Sequence, residues 1–100
     1  MKPESISGWV RQARYRANKI GVHNDLKLSD VLSMVEENKL CDYCGKVGFE
    51  TFDHAFPFKD GAANVLANLT VVCKACKGRK KNNDLIWAFN SGIIDGDIYL

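Results

Sequence analysis

Apolar residues recur at helical spacing along the first part of the chain. The recurring positions are Ile6, Trp9, Val10, Ala13, Ala17 and Ile20. This pattern predicts an amphipathic helix from about Ser7 to Ile20, with Gly21 in the position of a C-terminal cap. Ser29 is typical of an N-cap and predicts a second helix, from Asp30 to about Asn38. The expected inward-facing residues of this second helix are Val31, Leu32, Val35 and Met34.

The pattern changes to short alternating runs after residue 48. Phe49, Thr51 and Phe52 predict a strand that ends at Asp53-His54, and a second strand fits Leu69 to Val72. The segment between these strands contains Pro57, Asp60 and Gly61, so we expect a loop or a wide hairpin there.

Two further helices are predicted after the second strand. A short basic helix fits Lys74 to about Lys81, and a last helix begins at Asn83 or Asp84 and ends near Gly92. Its expected packing residues are Leu85, Ile86 and Phe89, with Trp87 at the edge. The remaining segment, Ile93 to Leu100, is an acidic, partly apolar tail in which no chemistry is predicted.

All four cysteines fall in two Cys-x-x-Cys pairs, Cys41/Cys44 and Cys73/Cys76. Each pair can direct both sulfur atoms to one point, as a tetrahedral zinc site requires. Gly45 after the first pair allows the tight knuckle of such sites. We therefore expect a structural zinc ion whose removal unfolds residues 41–81, with two disulfides or a redox pair as the alternatives.

The chain has 100 residues, which predicts one domain made of a helical part (1–40), a metal-stabilised core (41–81) and a C-terminal helix with its tail (82–100). No signal peptide or long apolar run is present, so a cytoplasmic protein without membrane contact is expected. The formal net charge is only +2, but the basic residues are clustered. The candidate phosphate-contacting residues are Arg11, Arg14 and Lys19 on the first helix and Lys74, Lys77, Arg79, Lys80 and Lys81 on the third. The alternative for both clusters is a solvated surface.

The core segment resembles the HNH nucleases, whose centre is a beta-beta-alpha-metal unit. The resemblance covers about Cys41 to Lys80 and rests on C-D-Y-C-G, D-H-A-F-P-F-K-D-G-A and N-L-T-V-V-C-K-A-C-K-G-R-K. It implies an α+β fold, with the zinc-stabilised core flanked by additional N-terminal and C-terminal helices.

The resemblance also implies the roles of individual residues. His54 would be the general base that activates water, Asp53 a ligand of a catalytic Mg²⁺, Mn²⁺ or Ni²⁺ ion, and Asn68 the residue that orients the loop. The family usually has Asn or His after its last cysteine, where this chain has Lys77, and an ammonium group has no lone pair for a metal. Three outcomes are open: Lys77 turns aside, Lys77 holds the phosphate in partial place of the metal, or the site does not cut.

The predicted function is therefore that of a divalent-metal-dependent DNA endonuclease from a bacterium or phage. One alternative is a zinc-folded DNA-binding module with impaired catalysis. Another is a nuclease subunit that is active only within a phage packaging or restriction complex. A homodimer is also left open.

Overall fold

The computed structural model of the chain describes residues 3–37 and 40–93. These residues form, in chain order, α1 (Pro3–Ile20), α2 (Leu28–Glu37), β1 (Thr51–His54), β2 (Leu69–Val72), α3 (Lys74–Lys80) and α4 (Leu85–Asn90). Short 3-10 turns lie at Phe58–Asp60 and Leu66–Asn68. Four helices and a small antiparallel sheet confirm the expected α+β class.

Helix α1 packs on the body through one stripe of side chains. Ile6, Val10, Ala13 and Ala17 are buried at successive turns, as the helical spacing predicted. The helix begins at Pro3, four residues before the predicted start, because proline suits a first turn whose N–H groups have no helical partner. At the other end Gly21 has a φ of 93°, and its N–H donates to the carbonyl of Ala17 at 2.9 Å.

Helix α2 begins at Leu28, two residues before the predicted start at Asp30. Ser29 lies inside the helix, so its assignment as the N-cap was wrong. Val31 is fully buried, and Leu32, Met34 and Val35 pack against the same core. Asn38, the predicted last residue, lies outside the described residues.

Strands β1 and β2 form a two-stranded antiparallel sheet. The register places Phe52 opposite Val71 and His54 opposite Leu69. The sheet covers a core that α1, the following loop and α2 complete. The buried residues of this core are Ile6, Val10, Leu26, Val31, Phe52, Leu69 and Val71.

A second apolar cluster surrounds the cysteines. Its buried members are Cys41, Tyr43, Val72, Cys73, Cys76 and Ala88. Helix α4 joins this cluster through Leu85 and Phe89, whereas Ile86 is 62% exposed, so its predicted inward packing was wrong. The Asp84 side chain accepts a hydrogen bond from the Trp87 N–H at 2.8 Å and thereby caps α4. The tail prediction falls largely on residues 94–100, which lie outside the described residues.

Within residues 3–37 and 40–93, no helix has the length and apolar character needed to cross a membrane.

Candidate active site

The four cysteine sulfur atoms lie within 4.8 Å of one another. Zn–S bonds of about 2.3 Å in a tetrahedron place sulfur atoms about 3.8 Å apart. The Cys44 and Cys73 sulfurs are separated by 3.9 Å, which agrees with shared metal ligation and is far beyond a disulfide bond length. All four cysteines are free thiols, so the structure contains neither of the two disulfides considered as the alternative. The residues are positioned to bind one metal ion.

The thiols differ in their tendency to ionise. Burial favours the neutral form of Cys73, but hydrogen bonds from the Cys76 backbone and the neighbouring thiols outweigh it and lower the Cys73 pKa to about 7. Burial, together with hydrogen bonding to Cys73, raises the pKa of Cys76 to about 12. A metal ion that binds all four as thiolates therefore displaces protons, so its affinity depends on pH.

The knuckle between Cys41 and Cys44 is attached directly to the sheet. The Asp42 N–H donates to the Val71 carbonyl at 2.7 Å, and the Asp42 carboxylate accepts from the Val71 N–H at 2.9 Å. This attachment buries Tyr43 behind β1, where its hydroxyl donates to Oδ2 of Asp53 at 2.8 Å.

Asp53 is a buried carboxylate with a cationic partner. Besides the Tyr43 hydroxyl, its Oδ2 atom contacts the Lys80 ammonium group at 2.8 Å. Lys80 is only 1% exposed and also donates to the His54 carbonyl at 3.1 Å. The carboxylate is therefore neutralised from helix α3, by a residue one turn beyond Cys76.

His54 lies between two aromatic rings at the end of β1. Its ring stacks on Trp9, with centroids 5.4 Å apart, and tilts against Phe58 at 4.4 Å. Its Nε2 atom lies 2.8 Å from Oδ1 of Asn64. Asn64 is fully buried, although no element of regular structure contains it.

A hydrogen-bond relay from helix α1 determines which nitrogen of His54 carries the proton. Nδ2 of Asn24 donates to the Arg14 carbonyl, an obligate acceptor, at 3.1 Å. The other amide atom of Asn24, Oδ1, accepts from Nδ2 of Asn64 at 2.8 Å. Oδ1 of Asn64 is consequently the acceptor for His54, so Nε2 donates and Nδ1 keeps the lone pair.

The surroundings of His54 keep it neutral. Burial is the largest cause of the lowering of the His54 pKa from its ordinary value of 6.5; the hydrogen bond to Asn64 opposes it, and the positive charges of Arg16 and Lys77 add to it. The basic form therefore predominates at neutral pH.

Lys77 extends into the site from helix α3. Its ammonium group donates to the Phe52 carbonyl at 2.7 Å and lies 5.8 Å from the centre of the Trp9 ring. Burial lowers the Lys77 pKa; the charge of Asp53 opposes this effect and those of Arg16 and Lys80 add to it. The side chain is thus held beside the Asp53-His54 pair instead of turning outward.

A pocket of about 210 Å³ opens between α1, α3 and the loop after β1. Its lining includes Asp53 and His54, and the cationic side chains on it are Arg16, Lys59, Lys77 and Lys81. The Arg16 guanidinium lies 5.6 Å from the centre of the Phe58 ring. Because Lys80 already neutralises Asp53, the pocket has a net positive charge suited to an anion.

Asn68 ties the loop between the strands together. Its side chain accepts from the Phe56 N–H and donates to the carbonyls of Phe56 and Ala63, each at 2.9 Å. These contacts fix the backbone that follows His54, which is the arrangement that an orienting role requires.

The predicted DNA-contacting residues do not all share one face. Lys81 lines the pocket, whereas Lys74 and Arg79 are exposed elsewhere on α3. Arg11 and Arg14 border a different depression, and the Arg14 guanidinium donates to the Leu26 carbonyl at 2.7 Å. The predicted contacts of Arg11 and Arg14 therefore lie away from the pocket that contains His54, and the Lys19 ammonium group lies 5.8 Å from the centre of the Tyr15 ring. The assignment of Lys80 to the phosphate-contacting surface is corrected, because its ammonium group is buried against Asp53.

Three elements of the site were not predicted. Asn64 and Asn24 form the relay, and their only sequence signal is a polar residue in each of two loops. Arg16 had a clearer signal: it follows Trp9 by two helical turns, and both residues line the pocket.

The site does not fit a divalent cation well. Mg²⁺ and Mn²⁺ prefer several oxygen ligands, and Asp53 is the one carboxylate among the residues that line the pocket. Its Oδ2 atom is already bonded to Tyr43 and Lys80. The cysteines form the one group of potential metal ligands found in the described part of the chain.

Residues 41–83 match the family model described as HNH endonuclease. This segment contains the four thiols, both strands and helix α3, and its match to the family model confirms the resemblance drawn from its motifs. Searches of curated proteins and of solved structures found no match.

Proposed function

We propose that the protein is a DNA endonuclease in which His54 activates the attacking water. The observation that carries this proposal is the neutral imidazole with a defined free nitrogen, placed in a positively charged pocket. A phosphodiester needs both features for hydrolysis: a base for the water proton and positive charge for the oxygens of the transition state. The HNH domain supports nuclease activity as the class of reaction.

The proposed reaction uses groups of this chain at each stage. A water oxygen bonds to phosphorus while its proton passes to Nδ1 of His54. One P–O ester bond breaks, and that oxygen leaves with the electron pair and takes a proton from solvent. Asn64 keeps the imidazole in the required tautomer, and Lys77 and Arg16 face the charge that develops on phosphorus oxygens.

DNA is the proposed substrate because basic residues continue beyond the pocket. Lys74 and Arg79 are exposed on α3, and Lys59 and Lys81 lie at the pocket. Each contacted phosphate adds about 0.9 to the magnitude of the salt slope for duplex DNA. We expect binding that weakens steeply with salt and has little sequence preference, since backbone contacts carry no sequence information.

Zinc is the proposed occupant of the thiol cluster. Four thiolates in tetrahedral reach of one point are the donor set of closed structural zinc sites. Such a site leaves no position for substrate, so its proposed role is to stabilise the fold around β2 and α3.

The test of the proposed function is nicking of supercoiled plasmid, measured both without added divalent cations and with Mg²⁺, Mn²⁺ or Ni²⁺. His54→Ala should abolish nicking, whereas His23→Ala is the matched control, because His23 is the other histidine and is exposed outside the site. Equal nicking by both variants would indicate a contaminating nuclease. No nicking by folded wild-type protein under any of these conditions would reject the proposal.

A DNA-binding module without cleavage is the second candidate. The Lys80–Asp53 ion pair and the presence of Lys77 at the site favour it, because Lys80 occupies the Oδ2 atom of the expected ligand Asp53 and Lys77 stands where a second ligand is expected. This candidate predicts salt-sensitive DNA binding that His54→Ala leaves intact, together with no nicking.

A further inference from the structure

The charge around Asp53 is already balanced by the protein. Its Oδ2 atom contacts the Lys80 ammonium group at 2.8 Å, and the Tyr43 hydroxyl donates to the same oxygen at 2.8 Å. Asp53 and Lys80 are both buried, so this ion pair is a built part of the interior and not a surface contact. A cation that bound Asp53 through Oδ2 would first have to displace Lys80 from a place where it also donates to the His54 carbonyl.

A divalent ion would also face Lys77 across the pocket. The repulsion between a divalent ion and an ammonium group is twice that between two single charges at the same distance. Lys77 cannot turn away without breaking its 2.7 Å hydrogen bond to the Phe52 carbonyl. Arg16, on the opposite wall, adds to the same repulsion.

The arrangement has the opposite effect on an anion. A negatively charged phosphate oxygen is attracted to the same ammonium group that repels a divalent cation. Lys77 is held by a backbone carbonyl and Arg16 lies over the Phe58 ring, so both cations are positioned before a ligand arrives. Preorganised positive charge of this kind stabilises the transition state of phosphoryl transfer.

We propose that Lys77, Arg16 and the Asp53–Lys80 ion pair replace the divalent cation, so that the pocket binds a DNA phosphodiester directly, with no catalytic metal ion. The inference deepens the proposed endonuclease function and, for its catalytic part, rests on it. Lys77 takes the place of the divalent cation beside the phosphoryl oxygens. Lys80 takes the place of the divalent cation beside Asp53. Water attack, proton transfer to His54 and departure of the ester oxygen proceed as described above.

The first experiment measures metal binding and does not depend on activity. Zinc-loaded wild-type protein is titrated with Mn²⁺, and free Mn²⁺ is followed by electron paramagnetic resonance. We expect the free signal to equal that of buffer. Stoichiometric binding of Mn²⁺ that Asp53→Asn abolishes would overturn the inference.

The second experiment measures nicking and DNA binding in buffer freed of divalent ions, with the zinc content of the protein checked before and after. The wild type should bind and nick without added ions, and Mg²⁺ should weaken binding because it competes for phosphates. Lys77→Asn removes the cation and supplies a neutral oxygen ligand, so its ion-free rate should fall by about 10²- to 10³-fold, with part of the rate restored by Mn²⁺. Lys27→Asn, an exposed change that lies outside the pocket lining, is the matched control and should behave as wild type.

The outcomes separate the two proposals. Nicking that occurs only with Mg²⁺ or Mn²⁺ would overturn the metal-free inference and leave the endonuclease intact. Absence of nicking under all conditions, with ion-free DNA binding that Lys77→Asn weakens, would reject the endonuclease and retain the metal-free phosphodiester site. DNA binding that requires a divalent ion would overturn the inference whether or not the protein cuts.

Discussion

Replacing Lys80 by Met should destabilise the protein far more than an ordinary loss of a lysine. The change removes the ammonium group from the 2.8 Å contact with Asp53 and from the 3.1 Å contact with the His54 carbonyl. The Asp53 carboxylate then stays buried with the Tyr43 hydroxyl as a donor but without its opposite charge. An uncompensated buried charge of this kind costs about 3–5 kcal/mol of unfolding free energy.

That loss is large for a domain of this size. Single domains are stable by about 5–15 kcal/mol in total, so Lys80→Met could remove half of the available stability. With urea slopes of about 1–3 kcal/mol/M, the unfolding midpoint should fall by at least about 1 M. Lys74→Met is the matched control, because Lys74 is exposed on the same helix, and it should stay within about 0.5 kcal/mol of wild type.

A double mutant identifies the cause of the loss. Adding Asp53→Asn to Lys80→Met removes the unpaired carboxylate, so the double mutant should be more stable than Lys80→Met alone. Urea unfolding of the zinc-loaded proteins, followed by circular dichroism, gives all four free energies of the cycle. A loss below about 1 kcal/mol for Lys80→Met, in the range of exposed ion pairs, would refute the reasoning.

Four further predictions concern the metal, the relay, pH and DNA contact. Removal of the metal by a strong chelator should unfold residues 41–81, seen as loss of dispersed amide signals in NMR spectra and their return with Zn²⁺; a spectrum that keeps its dispersion would contradict a structural metal. Asn64→Leu removes the hydrogen-bond acceptor of His54 and should lower the nicking rate by about 10²-fold. Asn64→Asp keeps an acceptor and should shift the pH–rate profile to higher pH. Equal nicking rates for wild type and Asn64→Leu would show that the relay has no role in catalysis. The pKa of His54 in the folded protein lies below 6.5, so the unfolded chain binds more protons than the folded chain as the pH falls below 6.5. The contribution of His54 to stability is therefore complete above pH 6.5 and is lost below it. The unfolding free energies of wild type and His54→Gln, measured with urea, should diverge over this pH range, and a parallel pH dependence would contradict the burial of a neutral imidazole. Arg16→Gln should reduce the salt slope of DNA binding by about one, in fluorescence anisotropy titrations, whereas Arg11→Gln should leave it unchanged; the reverse result would place DNA on the other face of α1.

The fold was predictable where the sequence signal was local. The strand residues of β2 and the four cysteines were placed correctly because a short apolar run and a fixed thiol spacing each define local geometry. Helix ends were less predictable, as the case of Ser29 demonstrates: a good capping residue is also tolerated in a first turn. Ile86 was misplaced because helix α4 is short and buries Ala88, so apolar character alone did not identify the packed face.

The candidate site was predictable in its residue types but not in its charge pairing. Asp53 and His54 were chosen from their motif, and the structure brings both to one pocket. The partner of Asp53 was not predictable, because a lysine in a basic helix gives no indication that it will be buried. Lys80 follows Cys76 by four residues and therefore lies on the same buried face of helix α3. This spacing predicts the burial of Lys80 only once Cys76 is known to point inward. Asn64 comes from a loop, where no periodicity indicates burial.

The fixed direction of the hydrogen bonds in the Asn24–Asn64–His54 relay has a consequence for experiments on fragments of the protein. The segment that matches the HNH family begins at residue 41, whereas the relay takes its fixed direction from the Arg14 carbonyl on α1. An excised fragment of residues 41–83, or the same segment grafted onto another carrier, would keep His54 and Asn64 but lose the group that decides which way the amide of Asn64 faces. The imidazole could then exchange between its two tautomers, and part of the population would present the wrong nitrogen to water. If the protein has the proposed activity, its smallest autonomous catalytic unit is therefore larger than the family segment and includes the N-terminal helix.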